Sequence, residues 1–172
     1  MQQALIIIDV QNDYFPNGNY PLWQAEKTLH QIEGAIALAQ QGQIPIILVQ
    51  HIANPDNGKS PIFNLGTEGV ELHPRLRAAA PLAPVVIKRH ADSFIDTNLE
   101  QVLRELGVTE LLICGMMTQN CVTHTAISKS AEQYQVKIVA DCCTSVDQII
   151  HAIALKAAAV RVPVLNSSEV FA

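Results

Sequence analysis

The chain predicts an α/β fold: a single-domain, doubly wound, mostly parallel six-stranded sheet with helices on both faces. Two patterns predict it. Short runs nearly continuous in Ile, Val and Leu recur along the chain, as strands buried on both faces require. Amphipathic stretches of helical spacing separate them, and parallel strands need such crossovers. No internal repeat or low-complexity tract interrupts the alternation, so residues 1–172 read as one domain.

The strand candidates are 4–8, 45–50, 85–88, 110–114, 136–140 and 162–165. Helices are expected over 22–41, 98–106, 122–134 and 148–159. Gly42 and Gly107 fall just past two helix ends, where a left-handed cap is expected. Asp96 or Thr97 would cap the helix over 98–106. Residues 53–82 break the rhythm with Asn54, Pro55, Gly58, Pro61, Gly66, Gly69, Pro74 and Pro81. That stretch is too long for an ordinary connection and reads as a functional loop over the site, or as a plain surface excursion.

Composition narrows the function classes. A net charge of -5 with scattered Lys and Arg argues against nucleic acid and against a basic membrane-surface helix. No apolar run approaches the roughly 20 residues of a membrane span. The start, Met1 to Asp9, has no basic segment and turns acidic at once, so it reads as a first strand and the protein is expected to be cytoplasmic. Hydrophobic residues at 49% against 16% charged lead us to expect a homo-oligomer, dimer or tetramer. The four cysteines show no zinc spacing, and Cys114, Cys142 and Cys143 read as reduced packing residues.

Three strand ends carry reactive side chains. Asp9 follows the first strand, Lys88 ends the third, and Cys121 lies just beyond the fourth. Strand ends of a doubly wound sheet share one edge, so an acid, an amine and a thiol can converge there. Cys121 opens a stretch read as helix, where a helix dipole would favour the thiolate. Its role would be nucleophile, that of Asp9 proton carrier, that of Lys88 holder of Asp9 and of negative charge. Phe15, Phe63 and Phe94 are candidate walls of an apolar pocket in a chain with 5% aromatic residues. Gln11, two residues past Asp9, is a candidate substrate contact, while Trp23 reads as packing or subunit contact.

The runs Ile8-Asp9-Val10-Gln11-Asn12-Asp13-Tyr14-Phe15, Val86-Ile87-Lys88-Arg89-His90-Ala91-Asp92-Ser93-Phe94 and Cys114-Gly115-Met116-Met117-Thr118-Gln119-Asn120-Cys121-Val122 carry a resemblance. In that order they resemble the isochorismatase-like cysteine hydrolases, the superfamily of nicotinamidases and N-carbamoylsarcosine amidase. The resemblance spans nearly the whole chain and implies a triad of Asp9, Lys88 and Cys121. It also implies a cis peptide between Met116 and Met117, and an oxyanion hole formed by the N–H groups of Met117 and Cys121. The nicotinamidase branch holds a metal with an Asp-x-His run after strand two. Here His51 matches the histidine, but Val49 stands where the acid would be. We therefore expect no metal and no cofactor, which weakens nicotinamide as the substrate.

The expected activity is hydrolysis of a small-molecule substrate, an amide, carbamoyl or ureido compound, through a thioester. Hydrolysis of a vinyl ether of the isochorismate kind, which needs an acid but no thiol, is the alternative within the fold. A non-catalytic oligomer with a redox-sensing Cys121 is the alternative outside it.

Overall fold

A computed structural model of the protein describes residues 2–172. Its elements are β1 (Gln3–Ile8), α1 (Ala25–Gln41), β2 (Ile46–His51), α2 (Pro74–Ala79), β3 (Val85–Lys88), α3 (Leu99–Glu105), β4 (Glu110–Met116), α4 (Thr123–Ala126), β5 (Gln135–Thr144), α5 (Gln148–Ala158), β6 (Val164–Leu165) and α6 (Ser167–Val170). The six strands form one sheet in the order β3-β2-β1-β4-β5-β6, and every pair is parallel. The chain starts in the middle, winds outward through β2 and β3, then returns to lay β4 on the other side of β1. The β1/β4 boundary is thus the switch point, outside which such sheets open a crevice.

β1 is buried from Ala4 to Ile8 and β4 from Leu111 to Met116, as their unbroken apolar runs require. On α1 the buried Leu29, Ile32, Ile36 and Ala39 recur at helical spacing and form one stripe against the sheet. α5 leaves Ile149 and Ile153 exposed at 71% and 63%.

The sheet edge that matters is set by register. Ile8 pairs with Val49 on one side and with Gly115 on the other, and His51 pairs with Lys88. Asp9 therefore leaves β1 level with the ends of its neighbours. Gly115 has φ 121°, and a Cβ there would lie 2.1 Å from the Ile8 carbonyl oxygen. Only glycine lets β4 press this closely on β1.

Several expectations need correction. The helix expected over 122–134 is broken into a wide π-type turn at Thr118–Val122, the single-turn α4, and a 3-10 turn at Ser130–Gln133. The Thr123 hydroxyl donates to the Thr118 carbonyl and the Thr125 hydroxyl to Ser93, so side chains compete with helical bonding. α1 begins at Ala25, three residues later than expected from position 22. β5 runs on to Thr144, past the expected end at 140. Gly42 is not left-handed (φ -82°), and Gln43 takes that conformation instead, whereas Gly107 is left-handed as expected. Thr97, not Asp96, supports the start of α3, its hydroxyl accepting from Leu99 N–H. α2 is unforeseen inside 53–82, with Pro74 in its first turn and His73 accepting from Arg75 N–H. α6 is also unforeseen and is closed by a capping box of Asn166 and Glu169.

Candidate active site

Asp9, His51, Lys88 and Cys121 meet above the switch point. Asp9 leaves β1 with φ 53°, a left-handed turn that an aspartate tolerates, and its N–H donates to the Val49 carbonyl. Lys88 crosses from the end of β3. Its Nζ lies 2.8 Å from Asp9 Oδ2, 2.9 Å from His51 Nδ1, 3.0 Å from the His90 carbonyl oxygen and 3.3 Å from Cys121 Sγ. Asp9, Lys88 and Cys121 are 0%, 1% and 3% exposed. The three strand-end residues singled out in the sequence are brought together, joined by His51.

Burial would strip the Lys88 proton, but the Asp9 carboxylate beside it, joined by Cys121 once that thiol ionises, outweighs burial and holds its pKa above the ordinary lysine value. Lys88 is therefore an ammonium. Neither Asp9 oxygen has a well-aligned hydrogen-bond donor among the described residues, so the ion pair with Lys88 satisfies it by charge. That leaves the carboxylate room to take a proton.

The state of the thiol corrects the sequence expectation. Burial and then the negative charge of Asp9 push the Cys121 pKa well up, and Lys88 only partly offsets them. The dipole that was to favour a thiolate belongs to a four-residue helix, too short to overcome burial. At neutral pH the resting group is a thiol beside a base, not a thiolate.

The Met116–Met117 peptide is cis, as the resemblance implies. The Met117 N–H makes no hydrogen bond among the described residues, while the Met117 carbonyl accepts from Asn120 and Val122.

The four substrate-contact candidates divide. Phe63 stands beside the cluster, its ring 5.7 Å from His51 and 4.8 Å, edge-on, from Tyr14. Phe15 packs on His73 at 4.3 Å and lines a separate surface cavity with Asn12 and Pro74. Phe94 stacks on Tyr134 at 6.2 Å. Those two rings are engaged with partners outside the cluster. Gln11 is engaged as well. Its oxygen accepts from His51 N–H, and its amide donates to the His51 and Val70 carbonyls, so it braces the end of β2 and has no hydrogen left for a substrate.

Tyr14 is the residue that sequence reasoning missed. It is 2% exposed, and its phenol pKa is pushed up by burial first and by the charge of Asp9 next. Its place five residues after Asp9, in the same motif, was the available signal. The segment 53–82 does reach the site: Phe63 lies on His51, and Val70 receives Gln11.

Asp9, His51 and Cys121 offer three donor atoms within 4.8 Å of one another. The metal of the nicotinamidase branch does not fit this chain. Val49 is a buried apolar side chain of β2, and the Lys88 ammonium already binds all three donors.

The isochorismatase domain model matches residues 3–169. Among proteins aligned over most of both chains, the isochorismatase family protein YddQ of Bacillus subtilis (strain 168) is 37% identical over 147 residues, 84% of this chain and 79% of that one. A nicotinamidase of Acinetobacter baylyi is 28% identical over 84% of this chain and 82% of its own. The crystal structure of an isochorismatase hydrolase from Oleispira antarctica superposes with a TM-score of 0.86 at 29% identity, covering 99% and 96% of the two chains. With the sheet order, the strand-end cluster and a match from residue 3 to 169, the chain belongs to the isochorismatase family of hydrolases.

Proposed function

We propose that the protein hydrolyses a small amide, carbamoyl or ureido compound, with Cys121 as nucleophile and a thioester intermediate. The observation that carries this is the buried contact of Cys121 Sγ with Lys88 Nζ at 3.3 Å, the same Nζ lying 2.8 Å from Asp9. The nicotinamidase relative supports carbon–nitrogen cleavage.

The chemistry follows from the protonation states. Asp9 takes the Cys121 proton as sulfur attacks the carbonyl carbon. The N–H groups of Met117 and Cys121 take the developing oxyanion. Asp9 returns the proton to nitrogen as the C–N bond breaks and the amine leaves. Water then gives a proton to Asp9 and adds to the thioester, and the acid leaves as Asp9 reprotonates sulfur. Lys88 stays an ammonium throughout and orients Asp9.

A panel of primary amides, carbamoyl compounds and ureides, assayed for ammonia release, tests this. Cys121→Ala should lower turnover by at least about 10³-fold while the circular dichroism spectrum is kept. Amide turnover that survives in Cys121→Ala would sink the thioester route. Isochorismate cleavage that survives there would favour the acid-only vinyl-ether route.

A further inference from the structure

His51 has a role that the triad does not explain. Its Nδ1 lies 2.9 Å from the Lys88 ammonium, which has no lone pair and can only donate. Nδ1 must therefore be the acceptor. A neutral imidazole with a bare Nδ1 carries its one proton on Nε2. The imidazole is neutral, because burial first and Lys88 second push its pKa down to about 4, with a small further push in the same direction from His90, and only Asp9 pulls the other way. That Nε2–H donates to no group among the described residues. The residue is held at its backbone and flanked at its ring. Gln11 bonds the N–H and the carbonyl of residue 51, and the Phe63 ring lies beside the imidazole. His51 is also the half-buried member of the cluster, whereas Asp9, Lys88 and Cys121 are buried, so it is the member that keeps surface for a ligand to meet.

We infer that Lys88 locks His51 in its Nε2–H tautomer, and that this N–H is a hydrogen-bond donor to an acceptor oxygen of the bound substrate. The ligand class is a small molecule with a carbonyl or carboxylate oxygen beside the scissile carbon. The identity of that oxygen rests on the proposed hydrolysis, whereas the tautomer does not.

Two measurements test this separately from turnover. Long-range ¹H–¹⁵N NMR of the wild-type protein at pH 7, with His51→Gln to assign the signal, should show His51 with a bare Nδ1 and a protonated Nε2. A protonated Nδ1, or an averaged pair of tautomers, overturns the proposal. The second readout is alkylation of Cys121 at pH 9 by iodoacetamide, which offers an amide oxygen. The reference is methyl methanethiosulfonate, which has no carbonyl. Sulfur forms a bond to the methylene carbon as iodide leaves, or to the reagent sulfur as methanesulfinate leaves, and the thiol proton goes to the buffer. The ratio of the two rates cancels changes in thiol reactivity that follow from disturbing Lys88. His51→Phe should lower the ratio about threefold to tenfold, and His51→Gln, which keeps an N–H donor, should restore it. A ratio unchanged in His51→Phe overturns the donor role even if the tautomer is as stated. If no amide is turned over by the wild type, the hydrolysis proposal fails while the tautomer and the ratio still decide this one.

Discussion

At the scale of single residues, Asp9, Lys88 and Cys121 were legible because strand ends are legible: a buried parallel strand announces itself by its apolar run, and its last residue marks the sheet edge. Their protonation states were not, because burial is a property of the folded chain. The thiol shows the difference. Sequence position argued for a low pKa, and the structure raises it by burial and by Asp9. The consequence is measurable. Alkylation of Cys121 in the free enzyme should be much slower at pH 7 than that of an ordinary exposed thiol, and its rate should still be rising at pH 9. A plateau between pH 6 and 8 would show a stable thiolate. His51 gives the second titration. Its folded pKa, about 4, is below the ordinary 6.5, so the unfolded chain binds its proton first as pH falls. Stability is therefore lost between pH 6.5 and pH 4 and is constant above that window on this group's account. Screened for its partial exposure, the loss at pH 5 relative to pH 7 should be about 1 kcal/mol. Urea unfolding of wild type and His51→Gln at the two pH values reads it as a difference, and an equal loss in both would assign the effect to other groups.

At the scale of elements, the long connection over 53–82 was recognised by its length and its Pro and Gly content, and it does reach the site through Phe63 and Val70. α2 was missed because its opening Pro74 reads as a breaker, although Pro is at home in a helix's first turn. The turn carrying Cys121 was misread because Val122 and Ala126, and then Ile127, Ala131 and Tyr134, keep a helical apolar spacing while Thr123 and Thr125 bond elsewhere. What fixes the connection is Asp13, which no periodicity could reveal. Its carboxylate is buried and accepts from Phe63 N–H at 2.7 Å and from Asn19 N–H at 3.2 Å. Phe63 thereby holds a φ of 61°, a conformation uncommon for an aromatic residue. Gly69 closes on the same carboxylate: a Cβ there would lie 2.1 Å from Asp13 Oδ1. Gly69→Ala should push Asp13 off its two donors and free the Phe63 segment. The expected cost is about 1–3 kcal/mol, with a rise in KM larger than any fall in kcat, since the segment lies beside His51 and not on the sulfur. Denaturant unfolding and steady-state kinetics on the same preparation check this, and an unchanged KM would show that Asp13 does not position Phe63 for substrate.

At the scale of the whole molecule, alternation of strand and helix predicted a parallel doubly wound sheet but could not order its strands. Order depends on which edges lie side by side, and β1 reads the same whether its second neighbour is β4 or β3. The sign that was available is Gly115, a glycine near the end of an otherwise apolar strand. Glycine inside a strand weakens it unless another backbone comes close, and here the backbone is that of Ile8. The contact matters to the whole site because Asp9 follows Ile8 and the Cys121 turn follows Gly115, so the spacing of the two strands sets the distance from acid to thiol. A methyl group at Gly115 would meet the Ile8 carbonyl oxygen at 2.1 Å and its nitrogen at 2.7 Å, both backbone atoms of a fully buried strand with no side chain to swing aside. It would also demand a residue with a Cβ at φ 121°. Gly115→Ala should therefore cost more than about 4 kcal/mol or prevent folding. Gly34→Ala is the matched control: it sits in the exposed face of α1 with nothing within 4 Å of the added Cβ, and should stabilise by about 1 kcal/mol. Thermal and urea unfolding of the two variants beside wild type read both signs at once. If Gly115→Ala folded with near-native stability and turnover, β1 and β4 would not be held at the spacing described, and the acid–thiol geometry that carries the proposed chemistry would have to be drawn again.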